Sequence, residues 1–373
     1  MGNSFKLFSV RGIDIRLHIT FPLILLWAGL QFGLRAGAVE SAVFGVIAVG
    51  FLFVLVTLHE LGHSFAAQYF GVPVKQIILS PLGGVAQLNE IPDKPKQEFI
   101  IAIAGPAVNV VIAILMGAVA LSLGISVENP FLILSGLGGL TLTSLFIYVF
   151  YYNIVLALFN LIPAFPLDGG RVFRSLLAMR LDYVRATTIA STVGQVIAVM
   201  LGIYGLFSGG IFLVLIAVFI FTAGRQEAQM VRVRSVLRGV KVQQAYSPSV
   251  YQLNRDSTVQ QATNLMIYGG QRNFPIVDSE SLIGFLPHGD LMSAMQTAAP
   301  HSRVENLMRR DVEPVEPGDN LFEVQRKLGE LQLEALPVAI GNRFLGLITR
   351  RQIADVHRLL QKTPNAILQG QSV

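Results

Sequence analysis

Through residue 224 the chain is dominated by six apolar segments, at roughly 19–34, 41–69, 99–123, 139–162, 187–204 and 209–224. A helix needs about 20 apolar residues to cross a bilayer, so each is read as a transmembrane helix, the last two near the minimum length. Two stretches break this pattern. The alternation Ile13-Asp14-Ile15-Arg16-Leu17-His18-Ile19 has the period of a strand. It does not read as the apolar core of a cleavable signal peptide, so the N-terminus is expected to stay attached. Residues 74–88 are too short and too broken for a span, and Pro81 and Gly83-Gly84 predict a turn between two short apolar strands. A hairpin at that depth needs protein or a wet cavity beside its backbone, which makes it a candidate wall of a site; an ordinary interfacial loop is the alternative.

From Gln244 the pattern becomes that of a soluble α/β unit, and it repeats at an offset of 62 residues. Asn273-Phe274-Pro275-Ile276-Val277 aligns with Ala335-Leu336-Pro337-Val338-Ala339, and Gly284-Phe285-Leu286-Pro287 with Gly346-Leu347-Ile348-Thr349. Two units of about 60 residues, each a βαββα-like element, are expected to bury their faces against one another.

Composition sharpens this division. Hydrophobic residues make up 53% of the 373 residues and charged ones 14%, against about 25% charged in an average soluble domain. Residues 1–224 carry 11 basic and 9 acidic side chains, residues 225–373 carry 17 and 14, and 187–224 carry none. A wholly soluble enzyme and a disordered chain are excluded. The net charge of +5 never gathers into a dense basic stripe, so no nucleic-acid partner is expected. Without cysteine, a metal must be held by His and carboxylate. Lys6, Arg11 and Arg16, then Lys75, Lys94 and Lys96, then Arg171, Arg174, Arg180 and Arg185, and finally Arg225, Arg232, Arg234 and Arg238 fall on one side of the alternating spans; the other side holds only Arg35. By the positive-inside rule, both termini and the soluble tail are cytoplasmic.

The chemistry is concentrated in His59-Glu60-Leu61-Gly62-His63, in the inner half of the second segment. Residues i and i+4 share a helix face, so both imidazoles reach one metal, with Glu60 beside them to take a proton from water. His59 lies about 15 Å from the end of its helix near Phe70, inside the bilayer. Ser64 through Phe70 hold no third ligand of the type that soluble HExxH proteases use. The best third ligand is Asp168, in Asn160-Leu161-Ile162-Pro163-Ala164-Phe165-Pro166-Leu167-Asp168-Gly169-Gly170-Arg171; alone it reads equally as a helix-end carboxylate. Asn109 and Asn160 are polar residues in apolar spans, suited to stabilise an oxyanion or hold an extended substrate, or to bond a neighbouring helix. His18, His288, His301 and His357 have no metal spacing.

HELGH, SPLGG, AGPAVN and NLIPAFPLDGG, in this order, resemble the motifs of the site-2 proteases, intramembrane zinc metalloproteases, over roughly residues 10–225. The resemblance implies one zinc ion per chain held by His59, His63 and Asp168, Glu60 as the base, and a hairpin around Gly83 and Gly84 that serves as a strand template for an unwound substrate helix. Many members carry a PDZ domain between these motifs; this chain has none. Its tail instead resembles a pair of cystathionine-β-synthase-type (CBS) domains. Such pairs often bind adenine nucleotides through a hydroxyl and a carboxylate, but Pro287-His288-Gly289-Asp290 lacks the hydroxyl and Thr349-Arg350-Arg351-Gln352 the carboxylate. Asp290 and Thr349 are thus each half of a nucleotide site, and a structural or dimerising pair fits as well.

The expected architecture is a polytopic α-helical membrane protein, with about six transmembrane helices and a membrane-associated β-hairpin, followed by a soluble α/β CBS pair. The expected boundaries are 1–225 for the protease domain, 226–243 for a basic linker, 244–300 for the first repeat and 301–373 for the second with its tail. The expected activity is zinc-dependent cleavage within single-span membrane proteins, with an anti-sigma factor or membrane-tethered transcription factor as substrate by resemblance. A CBS-gated channel or transporter is the alternative; it would need no HExxH with a distant Asp.

Overall fold

The computed structural model describes residues 4–81, 83–88, 94–125, 141–297 and 299–362. Leu82 in the expected hairpin and the tail beyond residue 362 lie outside them. The chain divides into two units, Met1–Ala228 and Gln229–Val373.

In the first unit, strands β1 (Ser4–Val10) and β2 (Ile13–His18) precede helices α1 (Phe21–Ala36) and α2 (Val39–Tyr69). Strands β3 (Val74–Ser80) and β4 (Gly83–Leu88) follow, then α3 (Pro95–Ser122), α4 (Leu142–Asn160), α5 (Asp168–Ala178), α6 (Tyr183–Phe207) and α7 (Ile211–Leu237). Five helices among the described residues, α2, α3, α4, α6 and α7, are long and apolar enough to span a membrane. The first expected span is a shorter apolar helix of 16 residues, about 24 Å long. Gly37, left-handed at φ 66°, ends it and turns the chain into α2. Gly33 and Gly45 remove the side chains that would otherwise hold the two helices apart: a Cβ at Gly33 would stand 3.0 Å from that of Ala42, and one at Gly45 would stand 2.8 Å from the Ala28 carbonyl oxygen.

The four strands form one sheet in the order β1-β2-β3-β4, with β2 and β3 parallel and the outer pairs antiparallel. The N-terminal alternation is β2, as expected. Its parallel partnership with β3 is not visible in either segment alone. Ile13, Ile15, Val74, Ile77 and Leu79 point to one face and pack with Phe21, Leu61, Ala67 and Ile101. Period-two burial thus welds the sheet to α2 and α3. Because β3 is held between β2 and β4, the hairpin enters the helical layer with a partner on one side and, among the described strands, an open β4 edge on the other.

The second unit repeats itself as the sequence predicts. Helices α8 (Val259–Gly269) and α10 (Leu321–Glu330) correspond, as do β5 (Phe274–Asp278) and β7 (Ala335–Ile340), β6 (Ser281–Leu286) and β8 (Arg343–Thr349), and α9 (His288–Thr297) and α11 (Arg350–Lys362). The sheet runs β5-β6-β8-β7. The two copies exchange their leading segments: Val242 is buried with Leu321 and Val324 of the second copy, while Val304 is buried with Val259 and Ala262 of the first. Helix α7 runs through the basic residues that follow residue 225 as far as Leu237, which is fully buried in the core of the second copy.

Candidate metal centre

The site is assembled on α2. One helical turn places the His59 and His63 rings 4.7 Å apart, nearly perpendicular, with their Nε2 atoms 3.1 Å from each other. Asp168, the first residue of α5, completes a triangle: its Oδ2 lies 3.1 Å from His59 Nε2 and 3.2 Å from His63 Nε2. Among the described residues this is the group of His, Asp and Glu side chains able to hold a metal ion.

The outer nitrogens explain why the inner ones face each other. His63 Nδ1 donates to the Ile101 carbonyl at 2.7 Å, and His59 Nδ1 donates to Asn109 Oδ1 at 2.8 Å. A carbonyl oxygen can only accept, so in the neutral rings, the form that binds metal, the protons sit on Nδ1 and both Nε2 lone pairs point inward at a carboxylate oxygen. Three acceptors this close, two of them buried, with no donor among them repel one another unless a cation lies between. Their separations are close to the edge, about 3.4 Å, of a tetrahedron whose corners are 2.0–2.1 Å from a zinc ion. The donor set fits zinc.

Asn109 was expected to present its amide to a substrate or a helix. It is wholly buried. Its Oδ1 is taken by His59, its Nδ2 donates to Asn153 Oδ1 at 2.9 Å, and Asn153 Nδ2 donates back to the Asn109 carbonyl at 2.7 Å. Asn109 thus supports the His59 ring and bonds the neighbouring helix α4. Asn153 carries the same polar-in-apolar signal as Asn109 but was missed. Truncating the amide should be costly: Asn109→Leu is expected to weaken zinc binding about 10–100-fold with the helices intact, the usual effect of losing a ligand's supporting hydrogen bond. Chelator competition measures it.

Asn160 ends α4, half-buried, and its amide has no hydrogen-bond partner among the described residues. The chain between it and Asp168 turns tightly, with Phe165–Pro166 cis. Gly169 and Gly170 let this turn close. A Cβ at 169 would collide with the Leu161 and Ile162 carbonyls, and one at 170 would lie 2.7 Å from Ala164 C and Phe165 N. The paired glycines are therefore what allow Asp168 to stand at the end of α5 and still reach α2.

Glu60 is half-buried beside the ligands, and the hairpin lies over it. A Cβ at Gly84 would stand 2.7 Å from Glu60 Cγ and 3.1 Å from Val56 Cγ1, so β4 rests directly on this carboxylate's stem. Gly83, at φ 121°, occupies backbone space that suits glycine. Gly105 does the same service across the site, since any side chain there would overlap the His63 ring. Its role was invisible in sequence, where it was merely part of a motif. The support from Ile101 is a backbone carbonyl and leaves no side-chain signal at all.

The two tail residues stand in different settings. Asp290 is held by Arg309, whose Nε and Nη2 donate to its two oxygens at 2.5 and 2.8 Å. Thr349 donates to Gln352 Oε1 at 2.8 Å and lines a cleft of about 550 Å³ with Ser247, Arg272, Asn273 and Arg351; Asp290 does not line it.

Residues 47–201 match the model of peptidase family M50, and residues 242–297 and 304–358 each match the CBS domain model. A zinc metalloprotease of Methanocaldococcus jannaschii is 31% identical over 361 residues, covering 97% of this chain and 98% of that one. Stage IV sporulation protein FB of Bacillus subtilis is 26% identical over 208 residues, 54% of this chain and 64% of that one. Among solved structures, the site-2 protease from Methanocaldococcus jannaschii is 36% identical, covering 60% of this chain and 95% of that one, with a TM-score of 0.44. The relationship to the archaeal metalloprotease over nearly the full length of both chains leaves one assignment: the protein belongs to the site-2 protease family, peptidase family M50, and is a zinc-dependent intramembrane metalloprotease with a C-terminal pair of CBS domains.

Proposed function

We propose that His59, His63 and Asp168 hold one zinc ion per chain and that Glu60 is the general base for hydrolysis of a peptide bond within a substrate's transmembrane segment. The observation that carries this reading is the triangle of inward-facing acceptor atoms, 3.1–3.2 Å on a side, with a carboxylate one residue from the first histidine. When bound, zinc supplies Lewis acidity for the scissile carbonyl and activates the attacking water. Glu60 takes the proton from that water and returns it to the leaving nitrogen. Asn109 and the Ile101 carbonyl keep the two imidazoles aimed while charge develops. Asn160, with its amide uncommitted, is the residue of the pair suited to hold the substrate backbone.

A peptide bond in a helix is shielded by its own hydrogen bonds, so the substrate has to be extended where it is cut. The β4 edge offers the backbone groups for this, as strand addition does elsewhere. Leu17, Leu79 and Gly84 are in register across the sheet, and Gly84 rests on Glu60, so a strand added at this edge passes the base. Gly84→Leu is expected to lower cleavage at least about 10-fold, because the added side chain must displace either Glu60 or the strand, while zinc content stays at the wild-type level. Normal turnover in that variant would sink the template role.

Single-span membrane proteins are the proposed substrates, with an anti-sigma factor or a membrane-tethered transcription factor as the type. Both termini and the CBS pair are proposed to lie in the cytoplasm, a reading supported by the distribution of basic residues between the spans. The boundaries proposed are 1–225, 226–243, 244–300 and 301–373. For the CBS pair, dimerisation is the reading favoured over adenine-nucleotide binding, because Asp290 is already satisfied by Arg309 and the Thr349 hydroxyl is already committed to Gln352. The experiment for the whole reading is cleavage of a panel of tagged single-span proteins by purified enzyme, before and after chelation. Cleavage inside the span that stops on chelation and returns with zinc is expected. Cleavage indifferent to the chelator would overturn it, and ion flux without cleavage would favour a gated channel.

A further inference from the structure

Arg174 is 1% exposed, the largest of the fully buried side chains among the described residues. It sits six residues along α5 from Asp168, about 9 Å. A buried guanidinium is retained only where it is fully paired. Its Nε donates to Glu98 Oε1 at 2.9 Å, Nη2 donates to the same oxygen, and Nη1 donates to Glu227 Oε1 at 2.5 Å. The guanidinium carbon lies 4.9 Å from the Phe165 ring centre and 5.0 Å from that of Tyr183. The Tyr183 hydroxyl also donates to Glu98 Oε1, at 3.4 Å. The other Glu98 oxygen is buried with no hydrogen-bond partner among the described residues, so among them the grip on Glu98 passes through a single atom.

These partners frame the metal centre. Glu98 is one turn before Ile101 on α3, the same face of the helix, and Ile101 holds His63. Phe165 belongs to the turn that delivers Asp168. Along the chain Arg174 is one of four arginines counted for orientation; the fold makes it the tie between the segment that aims one ligand and the segment that carries another.

We propose that Arg174 is a positioning residue of the metal centre, setting through Glu98 and Phe165 where Asp168 stands relative to His63. The inference rests on His59, His63 and Asp168 being the ligands. It differs from a purely structural role in one respect. Replacing a buried ion pair by apolar or neutral groups often leaves stability unchanged, whereas a lost geometric clamp is not restored by removing both partners.

The test uses full-length Arg174→Met, Arg174→Lys and the double variant Arg174→Met/Glu98→Gln. Each is examined by thermal melting, by zinc competition with a chelator, and by the visible spectrum after cobalt substitution. The double variant leaves only Glu227 without its cation, a carboxylate 22% exposed to solvent, and is expected to melt near the wild type yet to release zinc about 10–100-fold more readily, with shifted cobalt bands. Arg174→Lys keeps the charge but loses the planar fork, and falls between. A folded double variant with wild-type zinc affinity and cobalt spectrum overturns the proposal. If that variant does not fold, Arg174→Lys decides, and wild-type affinity there overturns it equally. Asp168→Ala, run alongside, separates the two levels: zinc lost from it but fully kept in the double variant refutes the positioning role and leaves the ligand set standing.

Discussion

Glu60→Gln is expected to reduce cleavage by about 10²–10⁴-fold, the range for removing a general base, with zinc still bound at the wild-type ratio. The substitution preserves the side chain's length and its packing beneath Gly84, so β4 keeps its seat and the three ligand atoms keep their neighbours. What disappears is the carboxylate that takes a proton from water. Measuring cleavage of a tagged single-span substrate and zinc content on the same purified samples tests both halves. Cleavage within a few-fold of wild type would remove Glu60 from the mechanism. Loss of zinc together with activity would mean that Glu60 supports the site more than it acts in it.

Asp168→Ala should fail differently. In the proposed ligand set the carboxylate is the one group supplied from outside α2; without it two imidazoles remain, and a metal there would be left with two protein donors where catalytic zinc uses three. Zinc affinity is expected to fall beyond the roughly 10–100-fold typical of supporting residues, and cleavage should become undetectable at ordinary zinc concentrations. Dialysis against a chelator level that leaves wild type loaded, followed by metal analysis, gives the answer. Full zinc retention would move the third ligand to another residue. The pair of variants therefore separates holding the metal from using it.

The helix-borne half of this centre was legible because it is local. His59, Glu60 and His63 lie within five residues on one helix, and helical period alone puts both imidazoles on one face. Asp168 was legible by scarcity, the single acidic residue between Glu128 and Asp182, in a segment punctuated by proline and glycine. The internal repeat was equally plain, since a fixed offset of 62 residues needs no knowledge of contacts. Other parts were not open to this kind of reading. The Ile101 carbonyl that holds His63, for example, leaves no side-chain signal.

The sequence by itself determined the class of protein, the metal-binding helix, the strand character of residues 13–18 and 74–88, and the twofold repetition of the tail. All of these depend on neighbours along the chain, where bond geometry imposes a period. The tertiary structure decided which segments meet. It paired β2 with β3 and laid Gly84 on Glu60. It set Asn109 against His59, exchanged the leading segments of the two repeats, and buried Arg174 between Glu98 and Glu227. Such contacts are set by packing between residues far apart in sequence, and a polar residue in an apolar helix announces that it must have a partner without saying which one.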